Sequence, residues 1–383
     1  MKLSTFSFEP AGGWSLKEFP ALDSEQTLVM VFASPDYLDQ PEALWELFNA
    51  YPQASIVGCS TAGEIIGPLV NDTSLSVAVL QFERSKLEVV SAEIADADQS
   101  FAVGADLARQ LSSRQLSAVF VLSDGLHVNG SELVKGLNSA LPAGVIVTGG
   151  LAGDGDRFER TWVIRERRPQ SGAVTAVGFY GRRLRVTHGS RGGWDSFGPE
   201  RRVTRSVGNV LYELDGKPAL DLYKDYLGER ASGLPATGLL FPLSIREDTK
   251  DARQLVRTIL AVDEERQSLT FAGDIPQDCL AQLMRANFDR LVNGACAAAE
   301  QAKWKTGGGD DTLAIAISCV GRRLVLGERI EEETEITLDH LPPGTRQIGF
   351  YSYGEISPQA SPHAGGQCEL HNQTMTLTTF AEV

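Results

Sequence analysis

Unbroken apolar runs of strand length alternate along the chain with segments whose apolar residues recur every three or four positions. TLVMVFAS (27–34) reads as a buried strand, and Pro41 opens a helix with Leu44, Leu47 and Phe48 on one stripe. SIVGC (55–59) is a second strand, followed by STAGEI. The same order returns about ninety residues later. SAVFVLS (117–123) is a strand, 129–141 is a helix with Leu133, Leu137 and Leu141 on one face, and VIVTGG (145–150) is a strand before LAGDG. The junctions G-C-S-T-A-G-E (58–64) and G-G-L-A-G-D (149–154) align with one residue deleted. Each leads into more strand-like sequence, 74–82 and 86–92 in the first copy, 160–165 and 172–181 in the second, with a bridging helix at 98–111. This predicts two pseudo-equivalent αβ units, 27–93 and 117–188, inside an N-terminal domain of 27–215, after an N-terminal segment 1–26.

The second half, 216–383, reads as a separate domain. A loop (189–202), a strand (207–216) and a short helix (218–227) lead to a strand at 236–245 and a hairpin of 253–262 with 268–273. A helix over 283–304 carries the small residues Ala295, Cys296, Ala298, Ala299 and Ala302, which permit close packing on a sheet. GGGDD (307–311) is a turn, 312–320 a central strand, 321–338 a helix, and 347–356 and 368–380 further strands. The expected class is α/β (α+β), the C-terminal domain holding an antiparallel sheet with packed helices.

Composition narrows the function classes. Of 383 residues, 42% are hydrophobic and 22% charged, a globular profile. Glycine, at 38 residues, exceeds the usual ~7% and concentrates in loops that end strands. The net charge of −15 argues against nucleic acid or an anionic membrane surface as partner. No apolar run approaches the ~20 residues of a membrane helix, and no secretory signal pattern opens the chain. Five widely spaced cysteines form neither a zinc pattern nor a disulfide framework, so a cytoplasmic location with reduced thiols is expected. GxGxxG, GxxxxGK[ST], HExxH and GxSxG are all missing, so the chain is not expected to be an enzyme.

G-C-S-T-A-G-E (58–64), G-G-L-A-G-D (149–154), the Gly-rich stretch at 193–198, S-C-V-G-R (318–322), G-F-Y-S-Y-G-E-I (349–356) and H-N-Q-T (371–374) together resemble the FIST domain pair, in the order the family uses. The resemblance covers roughly 27–380. It implies a sensory module of bacterial signal transduction that binds a small ligand. The length leaves no room for an output domain, as in the free-standing haem-binding, nitric-oxide-sensing (NosP-type) members. That implies haem b, bound non-covalently because CxxCH is absent, and a separate histidine kinase as partner; a second copy of the chain is the other candidate partner. The alternative is a polar metabolite such as an amino acid, and a more distant one is a cysteine-dependent enzyme.

A haem iron needs an imidazole or soft axial ligand. His371, in a strand within H-N-Q-T, and His188, ending a strand before a Gly-rich loop, are the candidates, His371 being the metal ligand preferred. His340 suits a helix C-terminus, His363 a Ser-Pro-rich loop and His127 a helix entry. Cys59 and Cys319 end buried strands, either as small hydrophobes or as thiolate ligands or redox sensors. Arg322 is read as a bidentate clamp on a carboxylate or as a surface arginine. Glu64, Asp154 and Glu355 recur after glycine, to cap amides or to hold an ammonium group. Tyr351 and Tyr353, sharing a strand face, line a cavity or the core, and Asn372 is grouped with them as a ligand contact.

Overall fold

A computed structural model describes residues 1–247, 255–303, 311–358 and 367–383. Three βαβ units carry the molecule, two in the N-terminal half and a third in the C-terminal half. Strand Thr27–Ala33 runs parallel to Ser55–Ser60 across helix Glu42–Ala50. Leu116–Ser123 runs parallel to Ile146–Leu151 across helix Gly130–Ala140. Leu313–Cys319 runs parallel to Arg346–Ser352 across helices Val320–Leu326 and Ile330–His340. In each unit a long antiparallel strand, Leu75–Gln81, Ala173–Tyr180 or Met375–Glu382, pairs with the first parallel strand. These strands read as continuous apolar runs because both sheet faces are covered.

The units are interlocked. The hairpin of Glu64–Ile66 and Leu69–Asn71 adds to the third unit's Arg346–Ser352. That of Val163–Arg165 and Arg168–Gln170 adds to the first unit's Ser55–Ser60. That of Gly354–Pro358 and Cys368–His371 adds to the second unit's Ile146–Leu151. The closing strands are exchanged as well. Lys86–Glu93 lies beside Ala173–Tyr180, Leu184–Arg191 beside Met375–Glu382, and Lys2–Glu9 beside Leu75–Gln81. The N-terminal strand thus fills the third exchange position and closes a pseudo-threefold ring. One sequence detail marks the repeat. Gly58, Gly149 and Gly349 sit opposite Val31, Val121 and Ala316, and a Cβ at any of the three would strike the facing carbonyl oxygen.

The inner sheet faces meet in one apolar core that includes Phe32, Phe120, Ile317, Phe350 and Phe380, all about fully buried. The outer faces are covered by amphipathic helices, the Ala-rich Phe288–Ala302 lying close enough on Leu184–Arg191 that Gly189 has no room for a Cβ beneath Ala298. Helix starts follow their caps: Asn129 accepts from the amides of Ser131 and Glu132, and Asn287 from that of Arg290.

The described residues between Asp195 and Arg285 form an inserted subdomain on this ring, a curled antiparallel sheet with its own core. The expected division at 215/216 falls within it, after strand Val210–Leu214. The antiparallel sheet expected of the C-terminal half is this one; the half also holds the third unit, whose central pair is parallel. Three local expectations change. The 189–202 segment is a loop only at 192–194: its start ends strand Leu184–Arg191, and its remainder opens strand Asp195–Val207, which pairs with Leu280–Arg285. Residues Ala236–Leu240 form a 3₁₀ turn instead of a strand, and the helix begins at Phe288 because Leu280–Arg285 is taken into the sheet. Most of 307–311, and His363, lie outside the described residues.

Candidate functional site

The Gly-rich junctions all emerge at one end of the ring, where the parallel strands stop. There Asp154 turns the chain: its carboxylate accepts the amides of Phe158 (3.0 Å), Glu159 (2.9 Å) and Arg160 (2.9 Å), and the Tyr353 hydroxyl. Phe158 is held at φ +53, a conformation rare for a bulky side chain, and its ring stacks on Tyr353 at 4.5 Å and 13°. Beside this stack opens a cavity of about 640 Å³. The ring contributes Asp156, Arg157, Phe158 and Leu324; the inserted subdomain contributes Pro235, the Ala236–Leu240 turn, Ile259 and Leu260. The walls are apolar except for Thr237 and the exposed Asp156 and Arg157. Arg157 also donates to the Asp154 carbonyl and lies 3.7 Å from Asp36.

The carboxylates singled out from the sequence act as internal caps. Glu64 accepts from the Ser74 amide (2.9 Å) and hydroxyl (3.0 Å) and from Thr61. Glu355 accepts from the Thr374 amide (3.1 Å) and hydroxyl (2.8 Å) and from Ser352 (2.8 Å). Asp124 fills the corresponding place in the second unit, taking the Gly172 amide and the Thr161 hydroxyl, each at 3.0 Å. In all three units a buried carboxylate thus satisfies the amide that precedes the long antiparallel strand. Burial pushes Glu64 up to about 7 and Glu355 up to about 8, against the pull of their donors.

Arg322 does clamp a carboxylate, but an internal one. It bonds Glu333 through Nε (3.0 Å) and a terminal nitrogen (2.6 Å), with both side chains fully buried, and donates to the carbonyls of Gly192 and Leu291. Glu333 also accepts from Tyr351 (2.7 Å) and Ser318 (2.9 Å). Tyr351 therefore belongs to this knot, and Tyr353 to the Asp154 turn; Tyr353 sits at the bend between strands Arg346–Ser352 and Gly354–Pro358, so the two do not share a strand face. Cys59 and Cys319 are buried, and burial raises both thiols, most simply packing groups rather than thiolates. Asn372 is fully buried, donating to the Tyr353 carbonyl at 3.4 Å while its own oxygen has no partner.

His371 is buried, and its Nε2 lies 3.1 Å from the Ser357 carbonyl, which fixes the proton on that nitrogen. Burial holds it down to about 4, with the Arg257 charge and nearby His188 adding to the effect, and burial lowers His188 too. The two candidate histidines are thus neighbours, yet neither lines the cavity. A haem does not fit this cavity as lined: the lining offers no His, Cys, Met or Tyr donor. Among the described residues no cluster of three metal-ligating side chains occurs, and no helix is long and apolar enough to cross a membrane.

The residues missed from the sequence are the wall itself: Phe158, Leu239, Leu240, Ile259 and Leu324 look like any core residues in sequence. Arg323, which donates to the Ala62 carbonyl and Asp72 across the units, was passed over beside Arg322. Its place opposite Gly63, where a Cβ would meet the guanidinium, was not readable from spacing.

The chain belongs to the FIST family: the FIST N domain model matches residues 27–217 and the FIST C domain model residues 219–358. FIST domains are sensory, signal-transduction domains, not catalytic ones. The chain is also similar to an uncharacterized protein of Methanocaldococcus jannaschii, 23% identical over 333 residues, covering 79% of this chain. It spans 60% of the length of that relative.

Proposed function

We propose that this protein is a sensor whose input is a mostly apolar small molecule with one polar end, bound between the ring and the inserted subdomain. The observation that carries this is the lining of the 640 Å³ cavity, apolar on both bodies and charged only at Asp156 and Arg157. Its size lies in the range of ordinary small-molecule sites. Burial of the ligand's apolar body supplies affinity at about 25 cal/mol per Å², and the charged pair at the rim orients its polar end. Arg322, the anchor for a polar metabolite, is spent on Glu333, so an amino acid would find no buried cation here. A ligand touching both bodies favours whichever arrangement it binds better, and a separate partner such as a histidine kinase reads that arrangement.

The test uses 1-anilinonaphthalene-8-sulfonate, an apolar ring system with an anionic group, titrated into the full chain. Saturable single-site fluorescence, lost in Leu324→Trp with unchanged circular dichroism, is expected. Unsaturable binding, or an unaffected Leu324→Trp, overturns the reading. So does a Soret band in freshly purified protein that disappears in His371→Ala, which transfers the assignment to haem.

A further inference from the structure

The inserted subdomain joins the ring through two segments that lie side by side. The outgoing chain at Gly192–Trp194 and the returning chain at the start of helix Phe288–Ala302 touch backbone to backbone. Gly193, at φ +109, has no room for a Cβ beneath the Arg290 carbonyl, and Gly294 none beneath that of Gly192. Arg322 bonds a carbonyl on each segment, Gly192 at 2.5 Å and Leu291 at 2.9 Å. This crossing has the form of a hinge: two adjacent chain segments, pinned at one point, with a cleft beside them.

Beside this crossing, a ring residue reaches the roof of the cavity. Gln373 occupies the turn between Cys368–His371 and Met375–Glu382, at φ +63 and fully buried. Its Nε2 donates to the Leu239 carbonyl and to Thr258 Oγ1, each at 3.1 Å, and both acceptors belong to the subdomain. Leu239 lines the cavity, and so does Ile259, the neighbour of Thr258. The carbonyl of Gln373 accepts from Trp194 Nε1 (2.9 Å), on the outgoing hinge segment. Its Oε1 has no partner. The amide is backed by Gly321, where a Cβ would collide with it. Gly321 shares its seven-residue helix with Arg322 at the hinge and Leu324 in the cavity wall.

Among the described residues, other polar ties also join the bodies: Asp195 pairs with Arg290 at the hinge (2.6 Å), and the Asp274 amide donates to Ser131 Oγ (3.2 Å). Asp274 meets Lys135 (2.8 Å) and Asn129 (2.9 Å), and Arg257 donates to the Leu370 carbonyl at 3.0 Å. A buried amide with an orphaned acceptor, in a left-handed backbone, is a poor way to glue two bodies permanently. It suits a contact that is made and released.

We propose that Gln373 is the positioning residue that latches the roof of the cavity to the ring, and that release of this latch lets the subdomain turn about the Gly192–Leu291 crossing. This rests on the cavity being the ligand site, but its test needs no ligand. Spin labels on Arg182→Cys in the ring and Glu265→Cys in the subdomain, both exposed, with Cys296→Ala, report the distance between the bodies by pulsed electron resonance. Gln373→Met keeps the length and removes both donations. The population at longer distance grows roughly five- to thirtyfold over the parent, the factor expected for one or two kcal/mol. Meanwhile hydrogen exchange in Thr27–Ala33 and Leu116–Ser123 stays at parent rates. An unchanged distance distribution overturns the proposal, and so does an equal loss of protection throughout the ring. Should Gln373→Met fail to fold, Thr258→Val removes one acceptor from the subdomain side alone. It supports the proposal by a smaller shift in the same direction and overturns it by none.

Discussion

The pH dependence of stability above neutrality isolates Glu64 and Glu355. Each keeps a proton in the folded protein at a pH where the unfolded chain, titrating near 4.5, has lost it. The folded state therefore binds more protons between pH 4.5 and about 8, and stability falls as pH rises through that window. His371 acts in the opposite sense. Held down to about 4, it adds stability that is complete above its ordinary 6.5 and disappears below. Between pH 6.5 and 8.5 the carboxyls dominate, and what the histidines and the raised thiols add is common to the parent and a carboxyl variant. With folded values of about 7 and 8, linkage gives a loss of about 3 kcal/mol across those two pH units, about 2 of it from Glu355. Glu355→Gln is the clean perturbation. Its carbonyl can take the Thr374 amide and hydroxyl, and its NH₂ can donate to Ser352, which reverses its role. Urea unfolding of the full chain at pH 6.5 and 8.5 should show the parent losing about 3 kcal/mol and the variant about 1. A parent whose stability is flat or rising over this range refutes the reasoning, as does a variant that falls as far as the parent.

Glu333→Gln leaves the Arg322 charge buried with two carbonyls and no counter-charge, and should cost about 3–5 kcal/mol in urea unfolding at pH 7. Gly58→Ala, Gly149→Ala and Gly349→Ala each drive a methyl into a facing carbonyl at equivalent places in the ring. All three should destabilise by similar amounts, about 1–3 kcal/mol or more, read as melting temperature; a harmless one among them would break the equivalence of the units.

Periodicity located most strands and helices of the first two units because those segments bury whole faces, and burial writes itself into spacing. The third unit escaped although it carries the same glycine in the same place, Gly349 opposite Ala316. Its βαβ core is separated from the second unit by the inserted sheet, and its closing strand is Lys2–Glu9 at the other end of the chain. The hairpin exchanges were invisible for a related reason: a strand's pattern records that it is paired, not with which partner.

The same division runs through the site. Residue type alone showed that Glu64, Asp154, Glu355, Arg322, Asn372 and the two tyrosines are unusual in apolar surroundings. Their identities also carried the family resemblance. Whether each faces a ligand or another part of the chain depends on contacts between residues far apart in sequence. Arg322 meets Gly192 and Leu291, Tyr353 meets Asp154, and Gln373 meets Leu239. Buried polar groups must be satisfied, and in this fold most of the family's motif residues are satisfied by one another. The sequence by itself determined the elements, the class and the list of exceptional side chains. Only the tertiary structure decided that those side chains brace the end of the ring, and that the cavity beside them is walled by residues with no chemical mark at all.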